Sequence, residues 1–335
     1  VVLRAVPLPG APMQNRTVSN PSDRHIERLD PALDRLIAPD ASIEVLGQGY
    51  SWSEGPVWVK DGGYLLFSDV KENTVFKWKQ GEGAKPYLKP SGFTGTPPRG
   101  GEMGSNGLTL DASGHLVLCQ HGDRRVARMD APLASPAAKY TTLAGQYEGK
   151  RFNSPNDLVF KSNGDLYFTD PAYGMEKGWD DPGRELSFAG VYRRIASGEV
   201  SLLTKDLTRP NGLAFSPDEK LLYVAQSDET AAIWRVFDVK PDGTIANGRV
   251  FFDATSMTKT KKGLPDGMKI DTEGNLFATG PGGVFIISPQ GKHLGTIVTG
   301  QATSNCAFGD DGHTLYMTAD YFVMRVRLKA KGNGF

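Results

Sequence analysis

Six oxygen-bearing residues recur along this chain in the same local setting. Glu54, Asn106, Asn156, Asn211, Asp266 and Asn305 each open a short, β-prone run: Glu54-Gly-Pro-Val-Trp58, Asn106-Gly-Leu-Thr-Leu110, Asn156-Asp-Leu-Val-Phe160, Asn211-Gly-Leu-Ala-Phe215, Asp266-Gly-Met-Lys-Ile270 and Asn305-Cys-Ala-Phe308. Carboxylate and amide oxygens are the donors that hard divalent cations prefer, and Ca²⁺ accepts roughly six to eight of them in loose geometry. No His or Cys stands at a lead position, which argues against zinc or copper. Taken singly, Asn-Gly and Asp-Gly are ordinary turn dipeptides. Repetition of the whole setting is what points to a shared cation site, with a subset of the six expected on the metal and the rest facing a substrate. Asp157 adds a further carboxylate beside Asn156.

The elements that must position these residues repeat too. After each lead run comes a turn, such as Asp111-Ala-Ser-Gly114 or Ser216-Pro-Asp-Glu-Lys220, and then a second strand-like run, as in Leu116-Val-Leu-Cys119, Leu166-Tyr-Phe-Thr169 and Leu315-Tyr-Met-Thr318. An interval of about 50 residues holding several short strands is the signature of a β-propeller. The expected fold is therefore all-β, a six-bladed β-propeller with a short helical N-terminal appendage. Residues 1–40 are expected to form an arm and short helices, and residues 41–330 a single catalytic propeller domain. The last repeat is one strand short, so residues 42–47 are expected to pair with 322–328 and remove the open edge. Within the appendage, residues 21–38 carry two short helical patterns, the second capped by Asp30 with Pro31 at its first position. Long connections at 90–104, 171–189 and 257–264 interrupt the period. The first and third precede lead motifs and are expected to overhang the face where the lead residues emerge.

Composition excludes several functions. Lys and Arg number 38 against 38 Asp and Glu, with a sequence pI near 7.1. Neither a nucleic-acid footprint nor a polybasic membrane segment is present. No apolar run approaches the roughly 20 residues of a membrane-spanning helix. The default location is cytoplasmic, or periplasmic if an export signal has been removed. The two cysteines, Cys119 and Cys306, read as buried thiols in strands. Serine-nucleophile, phosphate-loop and dinucleotide motifs are absent. His121, at a strand end, reads as a packing residue. Asp170 reads as a turn residue, Tyr173 as a side chain reaching the pocket, and Arg151 as a holder of an anionic or hydroxylated ligand.

Four segments together resemble the senescence marker protein/regucalcin/gluconolactonase family, with bacterial gluconolactonases nearest in look. They are Ser53-Glu-Gly-Pro-Val-Trp58, Arg151-Phe-Asn-Ser-Pro-Asn-Asp157, Arg209-Pro-Asn-Gly-Leu-Ala-Phe-Ser-Pro-Asp218 and Leu264-Pro-Asp-Gly-Met268. The resemblance covers most of residues 42–328 and implies a six-bladed propeller with one catalytic divalent cation. Calcium is the first expectation, with Mg²⁺, Mn²⁺ or Zn²⁺ as alternatives. It implies that Glu54, Asn211 and Asp266 hold the metal, that Asn156 lies at the metal or substrate, and that Asp266 doubles as the base. Asn106, Asn156, Arg151, Asp157 and Tyr173 are the expected substrate-binding set. The implied reaction is hydrolysis of a small sugar lactone, in which the cation polarises the carbonyl. Activation of water by Asp266 and attack by a metal-bound water that Asp266 orients both fit at this point. A related metal-dependent aryl esterase or phosphotriesterase, and a non-catalytic calcium-binding interaction propeller, are the competing functions. Oligomeric state is left open. The N-terminal appendage and the longer loops depart from the animal members and bear on the substrate rather than the chemistry.

Overall fold

The computed structural model describes residues 23–335. The arm expected over residues 1–20 lies outside the described residues. Six antiparallel sheets form the blades of a propeller, hydrogen-bonded in sequence order from the innermost strand outward except that N-terminal strands take the outermost place in blades 5 and 6. Blade 1 comprises Ser53–Val59, Tyr64–Asp69, Thr74–Lys79 and Gly83–Leu88; blade 4 comprises Pro210–Phe215, Leu221–Asp228, Ala231–Val239 and Ile245–Asp253. Blades 2 and 3 follow the same plan between them, with inner strands Ser105–Leu110 and Leu158–Phe160. Blade 5 starts at Met268–Ile270 and blade 6 at Thr303–Gly309.

Closure is as expected. Ile43–Gln48 forms the outer strand of blade 6 and pairs with Phe322–Arg327, in a register that sets Ile43 opposite Val326 and Val45 opposite Met324. A first-to-last pairing of this kind leaves the ring without a free seam. Blades 5 and 6 share a core that includes Phe277, Ile286, Leu315, Met317 and Met324, all fully buried. Adjacent blades elsewhere bury comparable clusters, such as Tyr167, Leu213, Phe215 and Val224 between blades 3 and 4.

The helical appendage is half right. Pro31–Arg35 is a 3₁₀ helix, and the Asp30 side chain accepts from the Ala32 N–H at its start. The first helical pattern is instead a strand: His25–Arg28 pairs antiparallel with His293–Val298 and becomes a fifth strand of blade 5. Four residues carry too little periodicity to separate strand from helix, and an unpaired outer edge on blade 5 decides the outcome. No helix among the described residues is long and apolar enough to cross a membrane. Both cysteines are free and buried within strands.

Candidate metal and catalytic site

The lead motifs serve the axis rather than a turn. Gly55 sits at φ +54 with the Asn106 carbonyl so close that a side chain there would meet it at 2.0 Å. One blade later, the Gly107 N–H donates to the Asn156 carbonyl at 2.8 Å, and the Gly267 N–H donates to the Ser304 carbonyl at 2.7 Å. The glycine after four of the leads, Gly55, Gly107, Gly212 and Gly267, thus leans on the next blade's lead segment. A small side chain is needed because backbones meet there. Hydroxyls on the second strands of blades 1 and 5 and on the inner strand of blade 6 complete the girdle. Ser68 Oγ donates to the Asn106 carbonyl at 2.9 Å, Thr279 Oγ1 to the Ser304 carbonyl at 3.0 Å, and Ser304 Oγ to the Ser53 carbonyl at 2.7 Å. These interblade bonds fix where the lead side chains emerge.

Five of the six lead residues line one cavity of about 490 Å³ at the mouth of the axis: Glu54, Asn106, Asn156, Asn211 and Asp266. All but Asp266 are at most 4% exposed. Four of their oxygens, Asn106 Oδ1, Asn156 Oδ1, Asn211 Oδ1 and Asp266 Oδ1, are buried without any hydrogen-bond partner. Orphaned acceptors of this kind cost roughly 1–3 kcal/mol each when nothing satisfies them. The amide nitrogen of Asn211 is spoken for, donating to Ser227 Oγ at 3.0 Å, which fixes its oxygen as the free end. Ser227 in turn donates to the Pro265 carbonyl, tying Asn211 to the segment that carries Asp266.

Two carboxylates share this pocket. Burial first, and then the Asp157 charge, raises Glu54 far above the usual carboxylate range. Asp266 is also pushed well up, by burial and then by Glu54. Desolvation and like-charge crowding both disfavour two buried anions side by side. A divalent cation would reverse both effects, and the donor chemistry, two carboxylates with amide oxygens, fits a hard ion. Among the described residues no group of three or more His, Cys, Asp or Glu side chains forms a metal cluster. The site therefore depends on its asparagines.

Other expected site residues fall differently. Asn305 is not at the cavity wall: its Nδ2 donates to Asp157 Oδ2 at 3.3 Å and its Oδ1 accepts from the Cys306 N–H. Asp157 is likewise turned away, accepting from the Leu158 N–H at 2.8 Å, so it braces the axis beneath the pocket rather than lining it. Arg151 is exposed in the short hairpin Gln146–Tyr147 and Lys150–Arg151, where its guanidinium donates to the Asp123 carbonyl, and it does not line the cavity. Tyr173 does line it, with its hydroxyl donating to the Ser227 carbonyl at 3.2 Å. Asp170, read as a turn residue, instead ends the strand Leu166–Asp170 opposite Gly190, and its two carboxylate oxygens accept from the Asn153 and Ser154 N–H groups, each at 2.8 Å, shaping the approach to Asn156.

The long connections contribute what the repeat could not announce. Glu102 enters from the 90–104 connection, and Lys261, Lys262 and Leu264 enter from the 257–264 connection. Trp52 stands at the rim beside Glu54. Ser227 had a faint signal, since Phe67-Ser68-Asp69, Phe168-Thr169-Asp170 and Gln226-Ser227-Asp228 repeat a hydroxyl at one strand position.

Residues 52–320 match the SMP-30/Gluconolactonase/LRE-like region. The chain belongs to this family. It is 41% identical over 315 residues to a gluconolactonase of Zymomonas mobilis, covering 92% of this chain and 87% of that protein. A solved gluconolactonase from Xanthomonas campestris superposes with a TM-score of 0.77 at 31% identity, over 90% of this chain and 94% of the other. The calcium-binding protein regucalcin from Agrobacterium tumefaciens shares the fold, with a TM-score of 0.67 at 19% identity over 88% of this chain and 96% of its own.

Proposed function

We propose that this chain is a metal-dependent hydrolase that opens the ester ring of sugar lactones, with residues 41–330 as its single catalytic unit. The observation that carries the reading is the set of buried oxygens without partners around one cavity, on a chain of the gluconolactonase family. Glu54, Asn211 and Asp266 would hold one divalent cation, Ca²⁺ by donor type, with Asn156 beside it. Bound there, the cation supplies Lewis-acid polarisation of the lactone carbonyl and charge stabilisation for the tetrahedral oxyanion.

The protein's own groups do the rest. Asp266 has a carboxylate oxygen without a partner at the cavity wall, and it takes a proton from the attacking water. Burial and the Glu54 charge raise its proton affinity, which opposes the lowering a cation imposes and keeps it useful as a base. The amides of Asn106 and Asn156 meet sugar hydroxyls. Trp52 and Tyr173 offer apolar faces at the rim, and the cavity volume suits a single small ring. Arg151 and Asp157 are left out of this assignment because neither lines the cavity.

The test is turnover in calcium buffer of D-glucono-δ-lactone, an aryl ester and a phosphotriester. The lactone is expected to be strongly preferred and to lose turnover in Asp266→Ala and Glu54→Gln. Preference for the aryl ester or the phosphotriester would assign one of the related hydrolase activities instead, and no turnover of any of the three would leave a binding propeller.

A further inference from the structure

Glu102 lies outside the axial repeat, yet its side chain lines the same cavity as Asp266, Asn106 and Tyr173. Its segment is clamped to the propeller on both sides. The Gly104 N–H donates to the Val70 carbonyl at 2.7 Å, the His121 N–H to the Gly104 carbonyl at 3.2 Å, and the Gly122 N–H to the Met103 carbonyl at 3.1 Å. A loop pinned this way holds its side chain as firmly as a strand would. The Glu102 side chain is 28% exposed, and that opening faces the pocket.

Behind the carboxyl sits His121, fully buried, with its Nδ1 3.8 Å from Glu102 Oε2. Neither ring nitrogen of His121 has a hydrogen-bond partner. Burial, and then the nearby Arg99, pushes the imidazole down to about 3, so it is neutral and gives Glu102 no counter-charge. The remaining charged neighbours divide. Lys71 favours the anion of Glu102, while Asp266, which feels the Glu102 charge, disfavours it, and Tyr173 feels it too. Burial dominates and raises Glu102 to about 7. A carboxyl raised towards neutral pH, in the wall of the cavity that Asp266 also lines, can hand a proton to a leaving oxygen there.

We propose that Glu102 is a second catalytic residue of this pocket, the acid that protonates the ring oxygen as the lactone opens, with the buried, neutral His121 packed behind its carboxyl. The proposal rests on the lactone-hydrolase reading. Its balance is simple. Water adds to the carbonyl carbon and gives one proton to Asp266. The bond between the carbonyl carbon and the ring oxygen breaks, and the departing oxygen takes the Glu102 proton to become a hydroxyl. The product acid ionises, and Asp266 returns its proton to Glu102 through solvent, so each turnover releases one proton.

A leaving group that needs no proton separates this role from a structural one. The test compares D-glucono-δ-lactone with its ring-sulfur analogue, since a thiol of pKa about 8.5 leaves readily as the thiolate. Glu102→Gln is expected to lower kcat on the lactone by on the order of 100-fold, to leave the thiolactone within a few-fold, and to retain calcium binding and melting temperature. The wild-type enzyme provides a readout that needs no variant. Its kcat for the lactone should fall as pH rises and Glu102 loses its proton, while kcat for the thiolactone should not. Equal losses on both substrates, an unchanged lactone kcat in Glu102→Gln, or a lactone profile without that alkaline fall overturns the proposal. Wild-type protein inert on every lactone would instead overturn the hydrolase reading itself.

Discussion

The mouth of the axis and the seam of blade 6 are built from the same kind of strand and solve opposite problems. At the seam every requirement is met internally. Ile43–Gln48 pairs its backbone with Phe322–Arg327, and Met324, Leu315 and Val326 are buried against blade 5. At the mouth, four oxygens on Asn106, Asn156, Asn211 and Asp266 are buried and unmatched, and two carboxylates are forced together. Regions that satisfy themselves carry stability, and regions that do not are waiting for something. The contrast assigns the seam to folding and the mouth to chemistry, and each assignment can be broken.

The largest expected effect is on activity at the mouth. Asp266→Ala should remove both a cation ligand and the base, lowering lactone turnover by about 10²–10⁴-fold, while circular dichroism and melting stay near wild type. A variant that keeps its activity would break the assignment. The seam should respond the other way: Met324→Asp places an unpaired charge at a fully buried position and should cost on the order of 4 kcal/mol in denaturant unfolding. Loss of turnover without loss of stability in that variant would blur the contrast.

Metal binding sharpens it. In chelated protein, Glu54 and Asp266 bind protons more tightly folded than unfolded. Their contribution to stability is therefore fully present below the unfolded pKa values of about 4 and is lost as pH rises from there towards their elevated folded values. Calcium should replace that loss, so at fixed free calcium the rise in melting temperature should grow with pH as Kd falls, the stabilisation being about 2.7 kcal/mol where free calcium is 100 times Kd. A gain that is the same at pH 5 and pH 8 would contradict this. Smaller effects follow. Ser227→Ala frees the Asn211 amide and should weaken calcium binding, a single hydrogen bond being worth about 1 kcal/mol. Glu44→Ala opens the pair with Arg325 on the outer edge, where the carboxylate is 56% exposed, and should change unfolding by at most about 1 kcal/mol.

Much of this was legible in the chain because a propeller repeats its local requirements. The lead oxygens, the tight-packing glycine after four of them, and the missing last strand all follow from one period, and five of the six leads reach one cavity. The misses are long-range or aperiodic. Asn305 and Asp157 bond to each other across the axis, a pairing between residues far apart in sequence that no local pattern encodes. His25–Arg28 joins blade 5 because an edge near residue 295 is open, which its own four residues cannot reveal. Arg151 sits next to a lead motif yet points outward, since a short hairpin intervenes. Glu102 reaches the pocket from a connection without a repeat, so its contribution depends on how that loop is clamped.

The central claim is that the partnerless oxygens at the mouth converge on one hard cation. A crystal structure of the protein grown with calcium tests it most directly. The account predicts a single ion on the axis, held by Glu54, Asn211 and Asp266 at roughly 2.3–2.6 Å. Density for an ion elsewhere, or those three side chains satisfied by one another with no ion between them, would contradict it.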